Sequence, residues 1–222
     1  MQGLSFRALD TTASLCSDRI YAKSEVIFER GDPSDALYIL NRGSVLLSLS
    51  SPTGKEKIVA LLRNGDVFGE EVLGPHEDRL VGAVAHQDSW VSFIASEHLH
   101  QLIQQQPALS LNFARILNER LYESRDDIEA LAFLTTEQRV AQALLRLAQN
   151  YGRSILSNQR LTKIAIPLSH ERLAQLIGGN RPQISTIMFK FKKLGWLQYR
   201  RRELLVDVEA VQTIVDGLEV AG

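Results

Sequence analysis

Residues 178–193 read GGNRPQISTIMFKFKK and combine a turn with closely spaced hydrogen-bonding side chains. Arg181, Gln183, Ser185 and Thr186 can donate or accept hydrogen bonds, and Lys190 adds a positive charge. An arginine and a lysine beside an amide and two hydroxyls favour recognition of a polar, negatively charged surface.

The apolar residues of this segment predict that a helix carries these side chains. They recur at intervals of three and four residues: Ile184, Ile187, Met188 and Phe191. Asn180 suits the N-cap, and Pro182 is tolerated because first-turn amides have no intrahelical acceptor to lose. Gly195 is expected to end the helix.

A second helix and a hairpin are predicted on either side of this one. Ser169 suits the N-cap of a helix that runs to Ile177, and Gly178-Gly179 makes the turn between the two helices. Two strands, 196–199 and 204–206, follow and flank the basic residues Arg200, Arg201 and Arg202. Helix, turn, helix and basic hairpin together predict a winged helix-turn-helix, which places its second helix in the major groove of DNA.

Charge is unevenly distributed along the chain. The formal net charge of all 222 residues is −1, but residues 161–205 hold nine Lys/Arg against two acids, a net charge of +7. A basic segment in a neutral chain is typical of polyanion binding, although a solvated surface of an ordinary domain would carry charge as well.

The N-terminal half has a different pattern. Short apolar runs punctuated by glycines predict strands over residues 20–95, and an uninterrupted helix is expected after Pro107. Apolar and small residues there alternate by three and four and predict a coiled-coil seam between two copies of the chain: Ala114, Leu117, Leu121, Ser124, Ile128 and Leu131. The alternative is a stripe that packs on its own domain. A hinge is expected at 134–136, and a polar loop is expected over 152–160.

Composition and motifs bear on other functions. Cys16 is the only cysteine, which excludes an intrachain disulfide framework, and no run of eighteen apolar residues or signal-peptide pattern is present. The expectation is a cytoplasmic protein that does not bind membranes. The five histidines show no metal-ligand spacing, and no nucleophile elbow, P-loop or paired-carboxylate signature predicts an enzyme.

Five stretches in this order resemble the CRP/FNR family of bacterial transcription regulators: GDPSDALYILNRGSVLL, LRNGDVFGEE, EALAFLTTEQRVAQALLRLA, LSHERLAQLIGGNRPQIST and FKFKKLGWLQ. The resemblance implies an α+β fold with three parts. These are a cyclic-nucleotide-binding-type β-roll over 1–106, a dimerisation helix over 107–134 and a winged helix-turn-helix over 135–222. It also implies a homodimer that binds a palindromic site on double-stranded DNA and contacts RNA polymerase.

Docking of this helix in the major groove would assign the DNA-binding residues. Arg181, Gln183, Ser185 and Thr186 occupy the end that reaches base edges, and arginine suits O6 and N7 of guanine. The side chains that suit phosphates are Lys190, Lys192, Lys193, Arg200, Arg201 and Arg202, and Ser169 is a further candidate DNA-binding residue. Many family members have a glutamate where this chain has Pro182, so their half-sites are not expected here.

The resemblance places an effector pocket at the turn formed by Phe68, Gly69, Glu70 and Glu71. In cyclic-nucleotide binders of the family an Arg-Ser-Ala run holds the phosphate, but this chain reads Arg79-Leu80-Val81 and lacks the hydroxyl. Two hydroxyls that read adenine are replaced here by Ser124-Arg125. Cyclic AMP is therefore not expected.

Residues 78–85 look more like the cyanobacterial global nitrogen regulator branch, which binds 2-oxoglutarate through a Phe-Gly turn and two arginines. The matching positions are Phe68, Gly69, Arg79 and Arg120. Arg125 replaces a glutamate of that branch, and Glu70 adds a negative charge. We expect no resident cofactor and favour an empty pocket in which Arg79 pairs with Glu70 or Glu71. If an effector binds, a 2-oxoglutarate-like anion is a better candidate than cyclic AMP.

Two functions from different classes follow. The first is a dimeric, sequence-specific transcription regulator. The second is a ligand-sensing module that acts through protein contacts and not through DNA. The +7 segment and the basic hairpin favour the first.

Overall fold

The computed structural model describes residues 15–75, 77–154, 160–200 and 203–217. Within these ranges the chain forms six α-helices and twelve β-strands. It divides into two compact units between Glu123 and Ser124, inside the longest helix. This mixture of helices and antiparallel sheets confirms the predicted α+β class.

The N-terminal unit contains two four-stranded antiparallel sheets. Their strands are β1 (Ser17–Tyr21), β2 (Val26–Phe28), β3 (Ala36–Arg42), β4 (Val45–Ser50), β5 (Glu56–Leu62), β6 (Val67–Phe68), β7 (Gly82–Ala85) and β8 (Ser89–Ala95). The strand orders are β1-β8-β3-β6 and β2-β7-β4-β5, so neighbours in space are mostly distant in sequence.

Side chains from both sheets form the core of this unit. Phe28, Tyr38 and Phe68 stack with ring centroids 5.1 to 6.0 Å apart, and Leu40 and Val45 are fully buried beside them. Aromatic and β-branched residues suit this half-buried pleated surface, which is why the apolar runs of residues 20–95 form strands.

Two helices and a short turn complete the N-terminal unit. A 3₁₀ turn (Glu70–Leu73) follows β6, α1 (Ser96–Gln105) follows β8, and α2 (Ala108–Phe133) begins after Pro107. Leu99 and Leu102 of α1 are buried in a second cluster with Leu37 and Ile94. No sequence prediction covered α1, whose signal is limited to a few apolar residues at helical spacing.

The C-terminal unit combines four helices with a four-stranded antiparallel sheet of order β11-β12-β10-β9. Besides the end of α2, its elements are α3 (Thr136–Tyr151), β9 (Gly152–Ser154), β10 (Leu161–Ile164), α4 (His170–Ile177), α5 (Arg181–Lys193), β11 (Leu197–Arg200), β12 (Glu203–Asp207) and α6 (Val208–Val215). Thr135 and Gln138 form a capping box at the start of α3. The predicted hinge therefore coincides with this cap.

The strand β9 corrects the expectation of a polar loop over 152–160. Residues 152–154 pair with β10, and residues 155–159 lie outside the described ranges. Gly152 permits the immediate change from α3 to strand, because a Cβ there would lie 1.9 Å from the carbonyl oxygen of Ala148. A pairing partner ten residues away leaves no local pattern that predicts it.

Candidate nucleic-acid interface and effector pocket

The helix α4 and the turn after it position the start of α5. The Ser169 side chain accepts a hydrogen bond from the Arg172 amide at 3.1 Å and caps α4, as predicted. Gly178 ends α4 with φ 67°, a left-handed conformation that favours glycine. Leu173 and Ile177 face the core, so the helix is fixed by burial on one side and by caps at both ends.

The predicted recognition helix is α5. The Asn180 side chain accepts from the Gln183 amide at 3.0 Å and caps it, and Pro182 lies in its first turn. Ile184, Met188 and Phe191 are buried on one face. The opposite face is consequently held toward solvent along its whole length.

The polar side chains at the start of α5 have distinct environments. Arg181, Gln183 and Thr186 are exposed, and Ser185 is half-buried. Oε1 of Gln183 accepts from Nδ2 of Asn180 at 2.7 Å, and Oγ1 of Thr186 donates to the Pro182 carbonyl at 3.1 Å. The end of the helix thus presents an arginine, an amide nitrogen and a threonine whose proton is already used.

Lys190, a predicted phosphate contact, has an internal partner. Its Nζ lies 2.7 Å from Oε1 of Glu137, which belongs to the first turn of α3. Lys193 lies instead over the ring of Phe189, with Nζ 4.9 Å from the centroid. A phosphate that binds Lys190 would have to compete with Glu137.

The predicted basic hairpin forms between β11 and β12, where Arg200 pairs in register with Glu203. Arg201 and Arg202 lie outside the described residues, as does the side chain of Arg200. Lys163 of β10 forms an ion pair with Glu203. Because β11 is an edge strand, the hairpin lies at one edge of the sheet.

Sequence reasoning missed a histidine that joins three elements of this surface. Nδ1 of His170 lies 3.0 Å from Oγ of Ser185, and Nε2 lies 3.1 Å from the hydroxyl oxygen of Tyr199. Burial, followed by the nearby Arg181 guanidinium, lowers the pKa of His170 below its ordinary value. Burial raises the pKa of Tyr199. Spacing gave no signal here, because the partners lie 15 and 29 residues away.

In the N-terminal unit, Arg79 is buried beneath the predicted effector turn. It donates to the carbonyl oxygens of Gly69 at 3.0 Å and of Ala36 at 2.7 Å, and Nη1 lies 3.6 Å from Oε2 of Glu71. Its guanidinium carbon lies 4.5 Å from the centroid of the Phe28 ring. The hydrogen bonds and ring contact of this guanidinium are therefore made to groups within the protein.

The other predicted pocket residues surround this arginine. Phe68 is buried in the core, Gly69 has φ 77° at the start of the 3₁₀ turn, and the amide of Leu80 donates to Glu71 at 3.3 Å. Arg120 of α2 is partly buried, forms an ion pair with Glu70 and donates to the Val67 carbonyl. Both arginines of the expected dicarboxylate site thus lie beside acids of the same turn.

Ser124 and Arg125, the remaining candidates for the pocket, follow the division between the two units. Both are exposed residues of α2. The six residues of the predicted seam are exposed as well: Ala114, Leu117, Leu121, Ser124, Ile128 and Leu131.

Among the described residues, no group of three or more His, Cys, Asp or Glu side chains is arranged to hold a metal ion. None of their helices is long and apolar enough to cross a membrane.

The sequence matches two family descriptions, the cyclic nucleotide-binding domain over residues 18–106 and the Crp-like helix-turn-helix domain over residues 138–214. The cyclic AMP receptor protein of Thermus thermophilus is 31% identical over 193 residues, which cover 87% of this chain and 85% of that protein. The global nitrogen regulator of Synechocystis is 30% identical over 188 residues, 84% of this chain and 82% of that protein.

Solved structures have the same fold. The structure of the c-di-GMP-responsive global regulator CLP of Xanthomonas campestris has a TM-score of 0.79 at 22% identity and covers 91% of this chain and 99% of that one. The C-terminal unit is a winged helix-turn-helix whose second helix is capped and exposed, and the N-terminal unit is a β-roll of the cyclic-nucleotide-binding type. Since the sequence is also similar to these regulators over most of the chain, the chain belongs to the CRP/FNR family of transcription regulators.

Proposed function

We propose that this protein is a homodimeric regulator that binds a palindromic DNA site by inserting the start of α5 into successive major grooves. The observation that carries the proposal is the exposed start of α5, where Arg181, Gln183 and Thr186 face solvent while the opposite face is buried. An α-helix fits the major groove, and side chains at its N-terminal end reach the base edges.

The surface of α2 supports the homodimer. Leu121 is 48% exposed and Ile128 is 66% exposed, although both are large apolar residues in a line that repeats by three and four. Apolar side chains in such a row become buried when the helix packs against a second copy of itself about a two-fold axis. Two copies of α5 then follow that symmetry, and the DNA site becomes a palindrome.

Selection of bound duplexes from a random pool tests this function. The expected consensus is a palindrome whose half-sites have centres about 34 Å apart, one turn of DNA. A selected pool without any consensus would contradict sequence-specific binding. It would favour the alternative, in which the C-terminal unit binds a protein, and pull-down with purified RNA polymerase would then be the next measurement.

We also propose that an effector of the β-roll is a small anion that displaces Glu70 from Arg120. Arg120 keeps a partly exposed side chain, whereas Arg79 is buried and bonded to two carbonyls. A dicarboxylate of the 2-oxoglutarate type suits a guanidinium better than cyclic AMP does, because Leu80 offers a phosphate no hydroxyl.

Calorimetry with 2-oxoglutarate separates these possibilities. Glu70→Gln removes the competing carboxylate and should strengthen binding about fivefold, the size of a modest ion pair. Arg120→Ala should abolish binding, while cyclic AMP should give no tight binding to any variant. Undiminished 2-oxoglutarate binding by Arg120→Ala, or tight binding of cyclic AMP, would place the effector elsewhere.

A further inference from the structure

The imidazole of His170 connects α4, α5 and β11 through two hydrogen bonds. Its Nδ1 lies 3.0 Å from Oγ of Ser185 on the recognition helix, and its Nε2 lies 3.1 Å from the Tyr199 hydroxyl on the first strand of the hairpin. The rings of His170 and Tyr199 lie 6.5 Å apart. One side chain thus holds a hydroxyl on α5 and a hydroxyl on the hairpin at fixed positions.

The location of the imidazole proton decides which way these bonds point. A neutral imidazole has one N–H, so one ring nitrogen donates and the other accepts. The lowered pKa of His170 keeps the ring neutral near neutral pH, and the raised pKa of Tyr199 keeps the phenol protonated. A phenol donates more strongly than an alkyl hydroxyl because its O–H is more acidic. The favoured tautomer is therefore the one in which Tyr199 donates to Nε2 and Nδ1–H donates to Ser185.

Ser185 lies where this direction matters for DNA. It follows Arg181 by four residues on α5, so the two side chains share a face of the helix. The Ser185 oxygen already accepts from His170, so its own proton is left to donate. Acceptors in the major groove are O6 and N7 of guanine, N7 of adenine and O4 of thymine, whereas amino groups of cytosine and adenine cannot take this proton.

We propose that His170 is a positioning residue for sequence readout, which, oriented by Tyr199, presents Ser185 to the major groove as a hydrogen-bond donor. The inference rests on the proposed DNA-binding function and specifies how one position of the site is read. It also separates His170 from the phosphate-binding lysines and arginines, since its effect is on base preference and not on overall affinity.

Two near-isosteric substitutions test the relay. The amide nitrogen of asparagine can occupy the place of Nδ1, and that of glutamine the place of Nε2. His170→Asn should therefore keep the donor to Ser185 and the base preference. His170→Gln should reduce the preference at one symmetric base pair about fivefold, the value of one ordinary hydrogen bond, as should Ser185→Ala. Tyr199→Phe should weaken the same preference.

The readout is the ratio of affinities for duplexes that differ at that base pair. Partial unfolding of a variant lowers both affinities equally and leaves the ratio unchanged. In the Ser185→Ala background, His170→Gln should have no further effect on the ratio, because His170 acts through Ser185. This non-additivity is the specific signature of a positioning role.

Three results would overturn the inference. If His170→Gln lowered the affinity for all duplexes equally, and did so in the Ser185→Ala background as well, His170 would be a phosphate contact and not a positioning residue. Equal base preference in His170→Gln and wild type would remove it from readout while the proposed function stands. If wild-type protein selects no consensus, the proposed function fails and the inference fails with it.

Discussion

The exposed side chains at the start of α5 have different hydrogen-bonding characters, although they lie within two turns. Arg181 has only donors, and Gln183 is left with its amide nitrogen because its oxygen accepts from Asn180. The Thr186 hydroxyl donates its proton to the Pro182 carbonyl, so this side chain can offer DNA only an oxygen acceptor and a methyl group. Hydrogen bonds made within the protein therefore determine which of these side chains can donate to DNA and which can accept from it.

Arg181→Ala should relax the preference for one symmetric G·C pair and cost about 1–3 kcal/mol for each lost bidentate contact. Lys192→Ala is the matched control, since this exposed lysine lies at the far end of α5. The control should weaken binding to all sequences alike and reduce the salt dependence by about one phosphate contact. Titrations with the selected site and with a G·C-substituted site measure both effects. A preference unchanged by Arg181→Ala would show that α5 docks in another register.

Pro182→Glu tests the register of α5 independently. The exposed Pro182 has no group that reads a base, whereas a glutamate accepts from N4 of cytosine. The variant should gain a preference for a C·G pair next to the base that Arg181 reads. Selection with the two proteins in parallel is the measurement, and the same consensus for both would mean that residue 182 does not face the bases.

At the level of elements, the sequence predicted what short-range contacts determine. Ser169 and Asn180 cap α4 and α5 as expected, because a cap bonds an amide three residues away. The strand β9 was mistaken for a loop because its partner lies beyond residues 155–159. The His170 network was missed for the same reason, since Ser185 and Tyr199 are distant in sequence.

The side chains of the effector turn show a further limit of sequence reasoning. The residue types alone identified Arg79 and Arg120 as possible anion ligands. Three-dimensional packing decides whether such a guanidinium group is free to bind a ligand or is bonded within the protein. The guanidinium of Arg79 donates to the carbonyl oxygens of Ala36 and Gly69. Backbone acceptors carry no signature in the sequence.

The contact between α3 and α5 predicts a change in affinity without sequence dependence. Glu137→Gln removes the charge that pairs with Lys190 and should raise affinity for all duplexes severalfold at low salt, with a salt dependence steeper by about one phosphate contact. Glu209→Gln on α6 removes an equal charge from an exposed residue without an assigned role and serves as control. An effect of the same size in both variants would mean that net charge, and not release of Lys190, is responsible.

At the scale of the whole molecule, the proposed dimer decides whether two recognition helices act together. Ile128→Glu would bury a charge twice at a symmetric seam, so the dimer should dissociate. Sedimentation should report a monomer, and affinity for the palindrome should fall by more than a hundredfold, because each half-site is then bound alone. Glu129→Lys changes a charge at the neighbouring position and should leave the dimer intact. A stable dimer of Ile128→Glu would remove α2 as the interface.

The hydrogen bonds of Arg79 determine which substitutions are tolerated around it. Its two closest acceptors are main-chain carbonyls, which exist whatever side chains stand at those positions. Tolerance to substitution is nevertheless unequal. A Cβ at Gly69 would lie 2.7 Å from Nη1 of Arg79 and 2.9 Å from the Tyr38 ring, and the backbone there has φ 77°. Random mutagenesis should therefore recover folded variants at Glu70, whose side chain is partly exposed, and at the exposed Leu80 far more readily than at Gly69. Substitutions at Glu70 and Leu80 are accordingly open to this protein, while the glycine and the buried guanidinium remain fixed.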